Sequence, residues 1–415
     1  MTLTGPQKVW RVRVFAATWL AYAGLYLTRK PFSIVKADLE SAYAWGASDL
    51  GVLGAAYLIA YTVGQFLAGA FGQRWGPRVV LLTGIAVSIG ANAALGFTNS
   101  FATFAVLMTV NGLAQATGWS NNVGTMGQWF HREERGRVMG FWATNYQVGG
   151  VVANTLAAYV AGKFGFQWSF FAGSIALSVC WLFVFLNQRN RPQDVGLPAI
   201  TDADDEADVS TGPVTWPRDV VINIALIGVF YLFLKFIRYA IWSWTPYLLS
   251  TELGLATDDA GYLSTVFDLT GVAGVIAAGW LSDKLFDNRH AKVSFVFIVA
   301  MAVGCALLYT VGTSSVVMFT ASLGLIGFTL YGPDALMMGA GAIDVGSAKR
   351  ATLAAGVING MGSVGSVLQE IVLGEVLESS GVGTAFAILL IAGVGAATCL
   401  LVLIARERRL RPVSS

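Results

Sequence analysis

Gly69-Ala70-Phe71-Gly72-Gln73-Arg74 recurs 210 positions further on (279 − 69) as Gly279-Trp280-Leu281-Ser282-Asp283-Lys284. Each copy closes an apolar run and ends in a cation, so one pattern is carried twice in the same direction. Outward from these copies, apolar runs of about 20 residues or more, enough to cross roughly 30 Å of hydrocarbon, are separated by turn or charged clusters. They lie at 12–37, 49–72, 78–98, 101–129, 135–162 and 167–188, then at 219–250, 259–284, 291–312, 315–343, 350–377 and 383–405. The runs are too long and too little alternating for barrel strands. Six spans repeated in parallel predict an all-α membrane protein of twelve transmembrane helices. They form two parallel six-helix bundles related by an axis normal to the membrane, with a cavity between. The first bundle is expected over 1–188 and the second over 218–415. Between them, 189–217 holds four prolines and the acidic run Asp202, Asp204, Asp205, Glu206, Asp208, and reads as a mobile linker.

Composition agrees. Residues are 55% hydrophobic and 12% charged, about half the charge of a soluble chain. Net charge is +2 and no basic tract interleaved with aromatics occurs outside loops, so no nucleic-acid partner is expected; the partner surface is the lipid bilayer. Cys180, Cys305 and Cys399 sit in apolar runs with no redox or metal spacing. The basic stretch up to Arg13 leads into a full-length span and reads as a retained first helix, not a cleaved signal. Of the 26 Lys and Arg residues, 20 fall in the tails and even-numbered loops and two, Lys36 and Lys163, in odd-numbered loops. That asymmetry places both termini in the cytoplasm of a multi-pass inner (plasma) membrane protein.

The remaining cations, Arg29, Lys30, Lys235 and Arg238, lie inside spans. A charge near the bilayer centre costs at least about 2.5–3.5 kcal/mol, so such residues face a cavity or a partner. Arg29 and Arg238 stand 209 apart (238 − 29), one repeat offset. Tyr22, Tyr26 and Arg29 follow i, i+4, i+7 spacing and share a helix face; Tyr231, Lys235 and Arg238 repeat it. Asp268 is the clearest acid inside a span and is expected to neutralise Lys235 or Arg238; Asp334 and Glu370 are others whose depth the sequence leaves open. At least one arginine is then without a protein partner, which packing alone does not explain. A guanidinium fork matches phosphate oxygens, so the pair predicts an oxyanion ligand. Snorkelling of Arg29 is the competing reading, awkward about sixteen residues into a span. Lys30 points elsewhere on its helix, with a structural or gating role as open as binding. Asn111, Gln115, Trp119, Asn145, Gln147, Asn154 and Asn359 offer hydrogen bonds, to a ligand or between helices.

Enzymatic chemistry finds no support. His131 and His290 are in loops, no nucleophile–base pair or metal cluster occurs, and no Gly-rich phosphate loop precedes a Lys-Ser/Thr, so neither a metal, a cofactor nor ATP hydrolysis is expected.

The Gly-xxx-Asp-Arg/Lys loop pattern resembles the major facilitator superfamily, with Gln73 where Asp is usual. Within it, Tyr26-Leu27-Thr28-Arg29-Lys30-Pro31-Phe32-Ser33 resembles the first-helix signature of the organophosphate:phosphate antiporter family. Asn111–Trp119 and Gln128-Trp129-Phe130 resemble the fourth helix of the sugar-phosphate exchangers, and Phe236–Tyr239, Leu263–Asp268 and Tyr331-Gly332-Pro333 extend the match through nearly the whole chain. The resemblance implies alternating-access exchange of an organic phosphate, such as a sugar phosphate or glycerol phosphate, for inorganic phosphate by a monomer. It implies that Arg29 and Arg238 bind phosphate and that Tyr22, Tyr26, Lys30, Tyr61, Trp142 and Asp268 line the cavity. Gln65 stands where the glycerol-3-phosphate members carry lysine, Tyr146 where they carry histidine and Lys235 where they carry tyrosine. The site stays cationic with a different geometry, tilting the expectation towards sugar phosphate. A membrane sensor for sugar phosphates and a proton-coupled carrier of a phosphonate or carboxylate, with Asp268 as proton site, are the alternatives.

Overall fold

The computed structural model describes residues 3–200, 218–285, 290–344 and 348–410, and among them every regular element is helical. In chain order the helices are α1 (Gly5–Leu25), α2 (Lys30–Ile34), α3 (Lys36–Tyr43), α4 (Ala47–Trp75), α5 (Pro77–Leu95), α6 (Phe101–Gln115), α7 (Thr117–Trp129), α8 (Arg132–Trp142), α9 (Thr144–Phe164) and α10 (Gln167–Asn187). There follow α11 (Arg218–Leu253), α12 (Thr257–Leu285), α13 (His290–Val311), α14 (Val316–Asp344), α15 (Ala348–Ser379) and α16 (Gly381–Leu410). Among the described residues, nine are long and apolar enough to cross a membrane, namely α4, α5, α10 and α11 to α16. The other three sequence-predicted spans are each broken in two: 12–37 into α1 and α2 about a 3-10 turn at Tyr26–Thr28, 101–129 at Ala116, and 135–162 at Ala143. Twelve spans result.

The break in the first span has a local cause. Pro31 has no N–H to give the carbonyl four residues back, at Leu27, and its ring crowds that carbonyl. The chain tightens into the 3-10 turn, and Arg29 N–H bonds Tyr26 O at 3.1 Å. Backbone oxygens near the break find side-chain donors: Gln115 Nε2 reaches Leu25 O at 3.0 Å and Asn111 Nδ2 reaches Thr28 O at 2.9 Å. Leu27 O lies where a Cβ on Gly173 would be, 2.1 Å from it, so that position takes no side chain. An irregular segment at membrane depth is tolerated when protein groups satisfy it in this way.

Packing divides the described residues into two compact units. One holds the residues up to Val35 and those from Ala56 to 200; the other holds 36–55 together with the residues from Arg218 on. This differs from a division at 188 alone. α3 and the first turns of α4 join the second unit because polar groups tie them there. Lys36 Nζ lies 2.9 Å from Glu370 Oε2 and Ser48 N donates to Glu378 Oε2 at 2.8 Å. Thr257 Oγ1 donates to both Asp38 oxygens, at 3.0 and 2.9 Å.

The expected linker is docked at its start. Trp129 Nε1 donates to Arg189 O, Arg78 N to Asn190 Oδ1, and Gln7 Nε2 to Pro198 O. Its acidic run, Asp202 to Asp208, lies outside the described residues. The two copies of the opening pattern close α4 and α12, with Arg74 and Lys284 exposed.

Candidate functional site

In the first unit the Tyr22–Tyr26–Arg29 stripe shares one face, as its spacing requires. The rings of Tyr22 and Tyr26 meet edge to face at 6.2 Å. The Arg29 guanidinium stacks on Tyr26 at 4.8 Å and on Tyr61 of α4 at 4.9 Å. Cation–π contact holds the planar group and leaves its edge to hydrogen-bond. Arg29 Nε donates to Gln115 Oε1 at 2.9 Å, and Tyr57 Oη donates to the same oxygen at 3.1 Å. Arg29 Nη2 is buried and has no hydrogen-bond partner, and no carboxylate among the described residues pairs with this cation. Lys30, at the head of α2, is buried.

Gln115 organises this region. Its oxygen takes Arg29 and Tyr57, while its nitrogen bonds Leu25 O, Thr28 Oγ1 at 2.9 Å and Ser88 Oγ at 3.3 Å. Thr28 and Ser88 hydroxyls are 2.9 Å apart, and Ser88 Oγ donates to Asn111 Oδ1 at 2.6 Å. Of the two readings open for Asn111 and Gln115, helix-to-helix bonding holds, and for Gln115 it also fixes the arginine. Gln115→Leu should strand Arg29 Nε and Tyr57 Oη. At about 0.6–1.7 kcal/mol for each interhelical bond lost, the unfolding midpoint in detergent should fall by several degrees and any stabilisation by phosphate should weaken.

An aromatic group borders the stripe. Tyr22, Trp119 and Trp142 are mutually 5.4–5.7 Å apart, and Trp142 Nε1 donates to Thr18 Oγ1 at 3.2 Å. Trp142 is fully buried at the end of α8, and Tyr146 is half-buried on α9. Tyr57 was not among the sequence candidates, although it precedes Tyr61 by one helical turn and the two rings stack at 6.2 Å.

In the second unit, Tyr231, Lys235 and Arg238 lie along one face of α11 and each makes a contact to α14 or α15. Tyr231 Oη donates to Asp334 O at 2.5 Å. Arg238 Nη1 pairs with Asp334 Oδ2 at 2.6 Å. Lys235 Nζ donates to Asn359 Oδ1 at 2.6 Å. Asp334 engages Arg238 and Asn359 takes Lys235, whereas Asp268 Oδ1 accepts from Tyr331 Oη at 2.5 Å. Asp268 is still linked to the arginine, because the Tyr331 ring lies 4.7 Å from the Arg238 guanidinium carbon. Both acids face the same arginine region, but Asp334 follows Pro333 inside α14, where run length alone does not mark its depth.

Sequence reasoning also treated Lys36 as a loop charge. It is fully buried, donating to Ser243 Oγ at 2.8 Å and to Glu370, with its ammonium 3.5 Å from the centre of the Trp244 ring.

A family model described as Major Facilitator Superfamily matches residues 14–368 and 224–415. The chain is similar to the glycerol-3-phosphate transporter of Bacillus subtilis, 29% identical over 391 residues that cover 89% of this chain and 86% of that protein. It is similar to the membrane sensor protein UhpC of Escherichia coli, 28% identical over 385 residues, 90% of this chain and 87% of that protein. Its fold is similar to a crystal structure of a bacterial homolog of the human lysosomal transporter Spinster, in an inward-facing, occupied conformation. There the TM-score is 0.76 at 13% identity, covering 97% of this chain and 99% of that one.

Proposed function

We propose that this chain, which belongs to the major facilitator superfamily, exchanges an organic phosphate ester for inorganic phosphate by alternating access. It is a multi-pass membrane transporter rather than an enzyme. The observation that carries the phosphate reading is Arg29: a guanidinium lying against two tyrosine rings, fixed through Nε, with Nη2 buried and unpartnered. An unmet charged donor costs several kcal/mol in a buried setting, and a phosphoryl oxygen is the ligand whose geometry meets a guanidinium edge.

Arg29 and Arg238 are the phosphate ligands in this reading. Tyr22, Tyr26 and Tyr61 shape the first unit's surface; Lys30, Lys235, Trp142, Tyr146 and Asp268 complete the set of contributing residues. The relative named a glycerol-3-phosphate transporter supports a phosphate ester as organic substrate. A sugar phosphate is favoured over glycerol phosphate because Lys235, Gln65 and Tyr146 change the polar set. The transporter works as a monomer in the inner (plasma) membrane with both termini cytoplasmic, as the 20-to-two segregation of basic residues supports.

The test is exchange in proteoliposomes loaded with inorganic phosphate. External labelled phosphate should enter and should be competed by hexose, triose or glycerol phosphates, while carboxylates should not compete. Entry that requires a pH gradient, or competition by carboxylates alone, refutes the reading. A sensor role is a second reading, supported by the likeness to a membrane sensor protein. Phosphate-ester binding without counterflow uptake would establish it.

A further inference from the structure

Lys235 is a buried ammonium of the second unit that makes no ion pair with a carboxylate among the described residues. It is nine-tenths buried, and its hydrogen bond goes to a neutral partner, Asn359 Oδ1 at 2.6 Å. Its position is built for. A Cβ on Gly362 would lie 2.8 Å from Lys235 Cδ, so glycine at 362 clears the space the aliphatic stem occupies beside α15. Arg238, one helical turn away, is differently placed: its Nη1 lies 2.6 Å from Asp334 Oδ2. A second acid, Asp268, bonds Tyr331, whose ring lies against the same guanidinium.

We propose that Lys235 is the compensating charge that lets Arg238 bind an anion while Asp334 holds it. This rests on the reading of Arg238 as a phosphate ligand. A carboxylate at hydrogen-bond distance orients a guanidinium well, but it also presents a negative charge to the approaching phosphate. With Lys235 present, the cations Lys235 and Arg238 balance the acids Asp268 and Asp334. Without it the acids prevail, and this half of the recognition machinery repels inorganic phosphate and phosphate monoesters, which carry about −1.5 to −2 charge at pH 7. Lys235 thus sets the electrostatics around Arg238, and Asn359 and Gly362 hold it in place.

The inference predicts an interaction between two substitutions, read as the KM for labelled inorganic phosphate in proteoliposome exchange. Lys235→Gln should raise KM about tenfold, the effect of one unit charge at roughly 10 Å through an effective dielectric of about 20. Asp334→Asn alone removes both the opposing charge and the carboxylate that holds Arg238, so its KM serves as the reference against which the double variant is read. Lys235→Gln combined with Asp334→Asn should recover KM to within about threefold of that reference, because charge balance is restored. Lost packing would not be mended by neutralising an acid, so recovery separates the electrostatic role from a structural one. Thermal melts accompany each variant. Should Lys235→Gln fail to fold, Lys235→Met keeps the stem without the charge. A double variant no better than Lys235→Gln, or a Lys235→Gln KM equal to the parent's, overturns the inference while leaving the exchange reading intact. Absence of phosphate exchange in the unsubstituted protein overturns both.

Discussion

Arg29→Lys should lower the exchange of labelled phosphate about 100-fold, an effect of about 2.7 kcal/mol, within the range of a hydrogen bond to a charged group. The reason lies in how the guanidinium is divided. Nε is spent on Gln115 Oε1, the guanidinium carbon lies within 4.9 Å of the Tyr26 and Tyr61 ring centres, and Nη2 is left over, buried and unmet. An ammonium replaces this planar fork by a single point charge. It can bond Gln115 or reach a phosphoryl oxygen, but it cannot do both and stay stacked. Gln115 would still bond Tyr57, Leu25 O and Thr28, so the helix break should survive. The expected outcome is therefore a folded protein whose exchange is cut to that extent. Measuring exchange beside the unfolding midpoint checks it. A lysine variant that exchanges within threefold of the parent would remove Arg29 from phosphate recognition.

Much of this arrangement was legible in the sequence, and what was hidden has a common cause. The Tyr22–Tyr26–Arg29 face follows from helical periodicity alone, and the rings and guanidinium do meet. The span count followed from apolar run length, and the positions of the internal breaks from local chemistry that a run-length reading passes over. Pro31, two residues after Arg29, was sufficient to mark the first break. The role of Gln115 depends on that break, since two of its partners, Leu25 O and Thr28, flank the irregular turn. Pairings across distant helices left no local trace. Arg238 and Asp334 are 96 residues apart, and Lys36 and Glu370 are 334 apart. Asp268 stood out because its span is otherwise apolar, and the hydroxyl it accepts from, Tyr331, lies 63 residues away. The repeat offset carried geometry better than chemistry. Tyr22 packs among tryptophans, whereas its counterpart Tyr231 is committed to the Asp334 carbonyl beside Pro333.

Glu370→Gln should destabilise the protein by about 3–5 kcal/mol, the cost of leaving a buried ion without its partner. Lys36 has no exposed side-chain surface and Glu370 only 4%, so water cannot stand in for the lost carboxylate. The contacts around the pair are directional. Lys36 donates to Ser243 Oγ, Ser243 donates to Glu370 Oε1 at 2.5 Å, and the Trp244 face lies 3.5 Å from the ammonium. Neutralising the carboxylate leaves the ammonium with a hydroxyl, an amide oxygen and a ring face, none of which matches its charge. Removing both charges is a different matter, because an apolar pair of similar volume is often neutral or stabilising in place of a buried ion pair. Lys36→Met with Glu370→Leu should therefore melt closer to the parent than Glu370→Gln does, although Ser243 then needs a new acceptor. Unfolding midpoints of the three proteins in one detergent measure the comparison. If Glu370→Gln melts with the parent, the pair contributes no net stability and the carboxylate is dispensable where it stands. If the single and double variants fall equally, the loss is of packing around α3, α11 and α15, and the pairing of charges is not what keeps residue 36 with the second unit.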